Sequence, residues 1–166
     1  MSMPFTPFHF GPGAALHALL PRRLSFLAFC AANVLTDVEP LYYMLTRQHP
    51  VHRFLHTCIG AGVTTVAIVL AFLLARRAAA RFHLPDLFAW HALEPPQVLL
   101  GAATGAGTHV LLDSVMHADV RPFAPFSAAN PLLHAVSVPQ LHGLCIALGA
   151  VGVAILAIRC LSFGAR

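Results

Sequence analysis

Residues 54–75 run for 22 positions without an aspartate, glutamate, lysine or arginine, and the run ends on Arg76 and Arg77. At helical rise that length is about 33 Å, enough to cross the hydrocarbon core of a bilayer. In a large soluble protein such a helix can be buried by other domains. This chain has 166 residues, is 58% hydrophobic and has a mean hydropathy of +0.75, so it has too little polar surface to cover that much apolar area. The expected fold class is therefore all-α, an integral membrane helical bundle formed by a single domain, residues 1–166.

About four membrane spans are expected. Residues 98–116 and 141–158 form two further apolar runs. Residues 14–20 and 24–35 are each shorter than the ~20 residues a perpendicular span needs, and they read as a short N-terminal helical hairpin or a re-entrant pair. Ahead of them, Pro4, Pro7 and Pro12 break an aromatic segment suited to the membrane interface. The first twenty residues carry no positive n-region, so insertion is expected to rely on the membrane helices. Residues 81–97 read as a polar linker with Pro85, Pro95 and Pro96 as breakers, and residues 120–139 as a proline-punctuated loop. Gly101 and Gly105 form a GxxxG pair that lets a second helix approach closely. The four cysteines are scattered through apolar segments without CxxC spacing and read as small buried residues.

All the positive charge, apart from histidine, is arginine. If the chain starts outside and alternates, Arg22, Arg23, Arg76, Arg77, Arg81, Arg159 and Arg166 fall inside, while Arg47, Arg53 and Arg121 fall outside. That split satisfies the positive-inside rule for a multi-pass inner-membrane protein of bacterial type. Arginines in pairs between apolar runs do not make the basic face that nucleic-acid binding requires, so no nucleic-acid partner is expected.

The same topology gathers the ionisable residues near the outer, periplasmic face. Asp37, Glu39, His52 and His56 lie between two apolar segments, and His109, Asp113 and His117 step by four through GTHVLLDSVMHADV. On helices, each four-residue step puts two side chains on one face. A carboxylate inside an apolar run is costly, so Asp113 marks function or a partner. Histidine with carboxylate is the usual ligand chemistry for divalent transition metals. The pairs His52/His56 and His109/Asp113 can supply a half-shell, completed by Asp37, with Glu39 as a further ligand or general base. Zinc or manganese suits the mixed donor set, at one or two ions per chain. Each part also has a bland reading: the histidines as interfacial polar residues, Asp37 and Glu39 as helix caps or partners of Arg47 or Arg53.

With these residues in view, the chain resembles the predicted membrane-bound metal-dependent hydrolases of the YdjM type. The matching positions are His9 in FTPFHFGPG, Asp37 and Glu39 in LTDVEP, His52 and His56 in HRFLHT, His109 and Asp113 in HVLLD, and the segment DVRPFAPFS, residues 119–127. The match departs from the family pattern at Thr36, Glu39 and Thr57. The resemblance adds His9 to the metal ligands and implies a hydrolase.

The activity expected on these grounds is hydrolysis of an ester or phosphoester, in a small-molecule or membrane-lipid substrate such as an envelope intermediate. Glu39 or Asp37 would take the proton, and Arg53 and Arg121 would hold an anionic head group. Two other classes fit the residues. One is a non-catalytic metal-binding or ion- and proton-transporting protein, and the other is a structural membrane partner whose polar residues join helices.

Overall fold

A computed structural model describes residues 7–164. The N-terminal interfacial segment is thus seen only from Pro7 onward, and residues 1–6 and Arg166 lie outside the described residues. A single 3-10 turn, Pro7–His9, leads into α1 (Phe10–Leu19), followed by α2 (Phe26–Leu45), α3 (Cys58–Phe82), α4 (Pro95–Met116) and α5 (Val138–Gly164). The described residues contain no strand.

Three helices are long and apolar enough to cross a membrane: α3, α4 and α5. They differ in what surrounds them. Of the apolar window in α4, 61% is buried inside the protein, against 17% in α3 and 11% in α5. Helix α4 is therefore the axis of the bundle, and the outer faces of α3 and α5 present apolar side chains such as Val66, Leu70, Val151 and Val153 to the surroundings. In water such faces would be a large unfavourable exposure, and in lipid they are matched.

Helix boundaries follow from capping chemistry. Ser25 accepts the N–H of Ala28 to start α2, and Thr57 accepts the N–H of Gly60 to start α3. Pro95 and Pro96, expected as breakers, instead occupy the first turn of α4, where a missing N–H costs nothing. The Gln97 side chain accepts the Glu94 N–H and donates to the Arg22 carbonyl, tying the start of α4 to the α1–α2 turn. Arg76 and Arg77, expected to close a span, lie within α3, which continues to Phe82 and stops at His83 in the left-handed conformation. The linker that follows contains a 3-10 segment, Leu87–Ala92, whose Trp90 meets Phe72 edge-on.

Helices α2 and α4 run parallel with their backbones in close contact. A methyl group on Gly101 would collide with the Ser25 carbonyl, and one on Gly105 with the Phe29 carbonyl. The predicted GxxxG pair is the contact that allows this approach. Ala28, Ala32, Val98, Ala102 and Ala106 fill the seam, with Ile68, Val69 and Phe72 of α3 closing it from the side. The ten-residue α1 runs parallel to α5, with Ala14 against Gly152 and the Ala18 carbonyl accepting a hydrogen bond from Arg159 Nη1 at 2.6 Å.

These directions divide the bundle into two ends. Arg22, Arg23, Arg76, Arg77, Arg81 and Arg159 lie toward one end, while the starts of α1 and α3 and the C-terminal ends of α2 and α4 meet at the other. The close α2–α4 seam has a direct test. Leucine at Gly105 should lower the Tm of the detergent-purified protein by several degrees, since overpacking costs about 1–3 kcal/mol. Gly107 has nothing within 4 Å of an added Cβ, so alanine there should hold or raise the Tm. Equal responses at the two positions would contradict the close approach.

Candidate metal centre

Asp37 and Asn33 sit one turn apart on α2, and His109 and Asp113 one turn apart on α4. Because the two helices touch at Gly105, the two pairs face each other. His109 Nε2 lies 3.3 Å from Asp37 Oδ1 and 3.4 Å from Asp113 Oδ2. The third wall is not helical. His52 and His56, expected on one face of a helix, lie in the loop before α3, whose first helical residue is Cys58. The reason is local. Pro50 interrupts the chain, and Glu39 takes the N–H groups of Arg53, Phe54 and Leu55, which a helix start would have left to solvent or to a cap. The loop still delivers both imidazoles, with ring centroids 4.6 Å apart and His56 Nε2 3.2 Å from Asp113 Oδ2.

Asp37, His56, His109 and Asp113 are all buried, and each offers a ligand atom within 4.8 Å of the others. This group can hold a metal ion. Four donors about 2.0–2.1 Å from one tetrahedral ion stand about 3.3–3.4 Å apart. The 3.2, 3.3 and 3.4 Å separations given above match the edges of that polyhedron. They are poor as hydrogen bonds. His56 Nδ1 and Nε2, His109 Nε2, His9 Nε2 and Asp113 Oδ1 are buried without a hydrogen-bond partner.

The tautomers sharpen the point. Asn33 Nδ2 donates to the carbonyls of Phe29 and Gly105, which turns Oδ1 toward His109 Nδ1 at 3.0 Å. His109 therefore carries its proton on Nδ1, and Nε2 points a lone pair at two carboxylates. A proton on Nε2 would satisfy one of those oxygens, whereas a cation between them satisfies both. His52 is arranged alike: its Nδ1 is 2.8 Å from Asp119 Oδ1, and Asp119 Oδ2 accepts the N–H groups of Val51 and His52. Glu39 Oε2 stands 3.5 Å from His56 Nδ1. Two imidazoles, His52 and His109, thus have a hydrogen-bonded group behind Nδ1, the support commonly found behind metal-ligating histidines.

The charges agree. Burial pushes the His9 imidazole down to about 4, against the opposing pull of Asp113, so it is neutral and able to ligate. Burial, and next the neighbouring His56, lower the pKa of His52 despite its bond to Asp119. Burial disfavours the charged form of Asp119. The hydrogen bonds from the His52 ring and the two backbone N–H groups outweigh that and keep its carboxyl below the usual range.

All six residues expected as ligands lie at this end of the bundle. His9 Nε2 is 3.3 Å from Asp113 Oδ1, and His52 Nε2 is 3.9 Å from Asp113 Oδ2, so these two flank the central four. Arg53 stacks over the Tyr43 ring at 3.7 Å and donates from Nε to the Pro50 carbonyl, while Arg121 is exposed. Both line a cavity of about 560 Å³ that also includes His52, Asp119, Phe54 and Ile59. His83 and His91 are exposed at the far end. Sequence reasoning missed Asn33 and Asp119. Asn33 carried a usable signal, a polar side chain in an apolar run one turn before Asp37. Asp119 opens the segment DVRPFAPFS but was given no role there.

Compared with known protein families, curated proteins and solved structures, the chain matches none. The site's own geometry carries the prediction. His56→Ala should remove the ion of this group and Asp113→Ala most bound divalent metal, and His83→Ala or His91→Ala little. Asn33→Ala should weaken binding about 10–100-fold by releasing the His109 ring. Elemental analysis of purified variants after mild chelation measures this. A wild-type protein without metal would reduce the cluster to polar packing.

Proposed function

We propose that this chain is a membrane-bound metal-dependent hydrolase of ester or phosphoester bonds, of the YdjM type, set in a bacterial inner membrane with its site at the periplasmic face. One observation carries the reading: buried imidazole and carboxylate donors with no hydrogen-bond partners stand beside a cavity flanked by two arginines. Asp37, His56, His109 and Asp113 hold the ion, with zinc or manganese matching the mixed nitrogen and oxygen donors. A bound ion supplies Lewis acidity, which makes water a better nucleophile and polarises the scissile group.

The remaining work falls to the chain's own groups. Arg53 and Arg121 bind the anionic part of the substrate. Neither pairs with a carboxylate among the described residues, since every ion pair there involves a histidine. Asp37, with one oxygen toward His109, takes the proton of the attacking water at its other oxygen and returns it to the leaving oxygen. Glu39, held by three backbone N–H groups, keeps the 53–55 loop and His56 in register and stands in for Asp37 as base only if that loop moves. Phe54 and Ile59, both exposed beside the cavity, suit a lipid substrate reaching the site from the bilayer.

Two measurements test this. Full-length protein in lipid nanodiscs, loaded with zinc or manganese, should hydrolyse members of a panel of phospholipids and simple carboxylic and phosphate esters. Chelation should abolish turnover, Asp37→Asn should slow it about 10²–10⁴-fold, and Arg53→Gln with Arg121→Gln should raise KM for anionic substrates. A metal-loaded protein inert on the whole panel would count against catalysis. Orientation is tested separately on a background lacking the four native cysteines. Gln48→Cys should react with an impermeant maleimide in intact cells, and Arg81→Cys only after permeabilisation, with the reverse pattern inverting the assigned face.

A further inference from the structure

The central four residues do not use all the donors at this end. Five imidazoles form a connected chain around Asp113: His9 to His109 at 4.6 Å between ring centroids, His109 to His56 at 5.2 Å, His56 to His52 at 4.6 Å, and His52 to His117 at 4.4 Å. A tetrahedral ion takes four ligands, and a catalytic one leaves a position for water. Five imidazoles with Asp37 and Asp113 exceed one such shell.

The surplus has a definite place. His9 lies outside the group of four whose donors are mutually close, yet its Nε2 is buried, has no hydrogen-bond partner and faces Asp113 Oδ1. His52 has its Nδ1 committed to Asp119, which leaves Nε2 directed at Asp113 Oδ2. His117 stacks on His52, and with His52 and Asp119 it forms a second group of ligand-bearing side chains within 4.8 Å of one another. Asp113 therefore faces donors on both sides, with one oxygen toward His9 and the other toward His56, His109 and His52.

We infer that the chain holds a second divalent cation, ligated by His9, His52 and His117 and sharing the Asp113 carboxylate with the first, so that the centre is dinuclear. Asp119 positions His52 from behind. This deepens the proposed hydrolase reading and rests on its first ion. The second ion stands on the side of the Arg53 and Arg121 cavity, because His52 and Asp119 line both. Two ions sharing the Asp113 carboxylate would supply positive charge to both the attacking and the leaving oxygen, which suits displacement at phosphorus.

The test is stoichiometry, read without activity. Full-length protein in detergent is loaded with zinc, desalted, and analysed for zinc per chain. Wild type should hold two ions, His52→Ala and His117→Ala one each, and Asp113→Ala close to none. One ion in wild type overturns this inference and leaves the first site standing, and none overturns both. Two ions retained in both histidine variants overturn the assignment of ligands. Loading wild type with manganese gives a readout that needs no variant. Electron paramagnetic resonance at full loading should show a spin-coupled pair, and a spectrum of isolated ions would refute the shared centre.

Discussion

The structure depends on a buried carboxylate. Asp113 is 3% exposed in the central helix of the bundle, and among the described residues it forms ion pairs with histidines alone. Removing an ionised carboxylate from water costs several kcal/mol even after relaxation. The groups facing Asp113 are imidazoles, and where Asn33 and Asp119 fix the tautomer they present lone pairs. A neutral ring in that orientation does not offset the charge of Asp113 and adds to its repulsion. Positive charge between donor and acceptor is what turns the arrangement from repulsive to cohesive. Protons can supply it one pair at a time, whereas a divalent cation supplies it to the whole group at once.

That requirement explains why the rest of the bundle is built of small residues. For Asn33 and Asp37 to meet His109 and Asp113, the axes of α2 and α4 must come closer than leucine or valine at the seam would permit. Gly101 and Gly105 against Ser25 and Phe29, with Ala28, Ala32, Ala102 and Ala106 between, give that distance. The bulky apolar residues are displaced outward, to the faces of α3 and α5. A soluble protein would pay for such exposure with aggregation, but a bilayer accepts it. The polar centre and the apolar exterior thus follow from one packing choice.

Much of this was legible in the sequence. Long apolar runs marked α3, α4 and α5, and a carboxylate within the run at Asp113 marked the centre, because few residues are so costly in that setting. The short run expected at residues 24–35 is only the first half of α2, which continues through Asp37 and Glu39 to Leu45. The i, i+4 relation of His109 and Asp113 held because both lie well inside one helix. The same spacing misled at His52 and His56. Periodicity carries no information about where a helix begins, and that start was decided by a distant group, the Glu39 carboxylate, together with the Thr57 cap. Asn33 stood out as a polar side chain in an apolar run, but its role as the group that sets the His109 tautomer depends on the α2–α4 contact, which chain order does not give. Segregation of the arginines was visible because it is a property of chain order alone. The pairing of α1 with α5 was not, since small residues spaced along two helices do not name each other.

The donors differ in how they are held. Asp37, His109 and Asp113 stand on two helices locked together by backbone contact, and His117 caps α4. His52 and His56 lie on a loop tied to α2 by Glu39 and to the segment after α4 by Asp119. Without a cation the helical half keeps its geometry, and that loop is the less supported half. Binding to the folded state alone stabilises by RT ln(1 + [L]/Kd), about 2.7 kcal/mol at a hundred times Kd. Most of that gain falls on the segments with the least other support. A cation bound there would be a staple between loop and helix, and the loop residues beside it, His52 and Arg53 among them, are those lining the cavity. On the proposed reading, substrate recognition and metal occupancy are coupled, since Arg53 directly follows His52 in sequence.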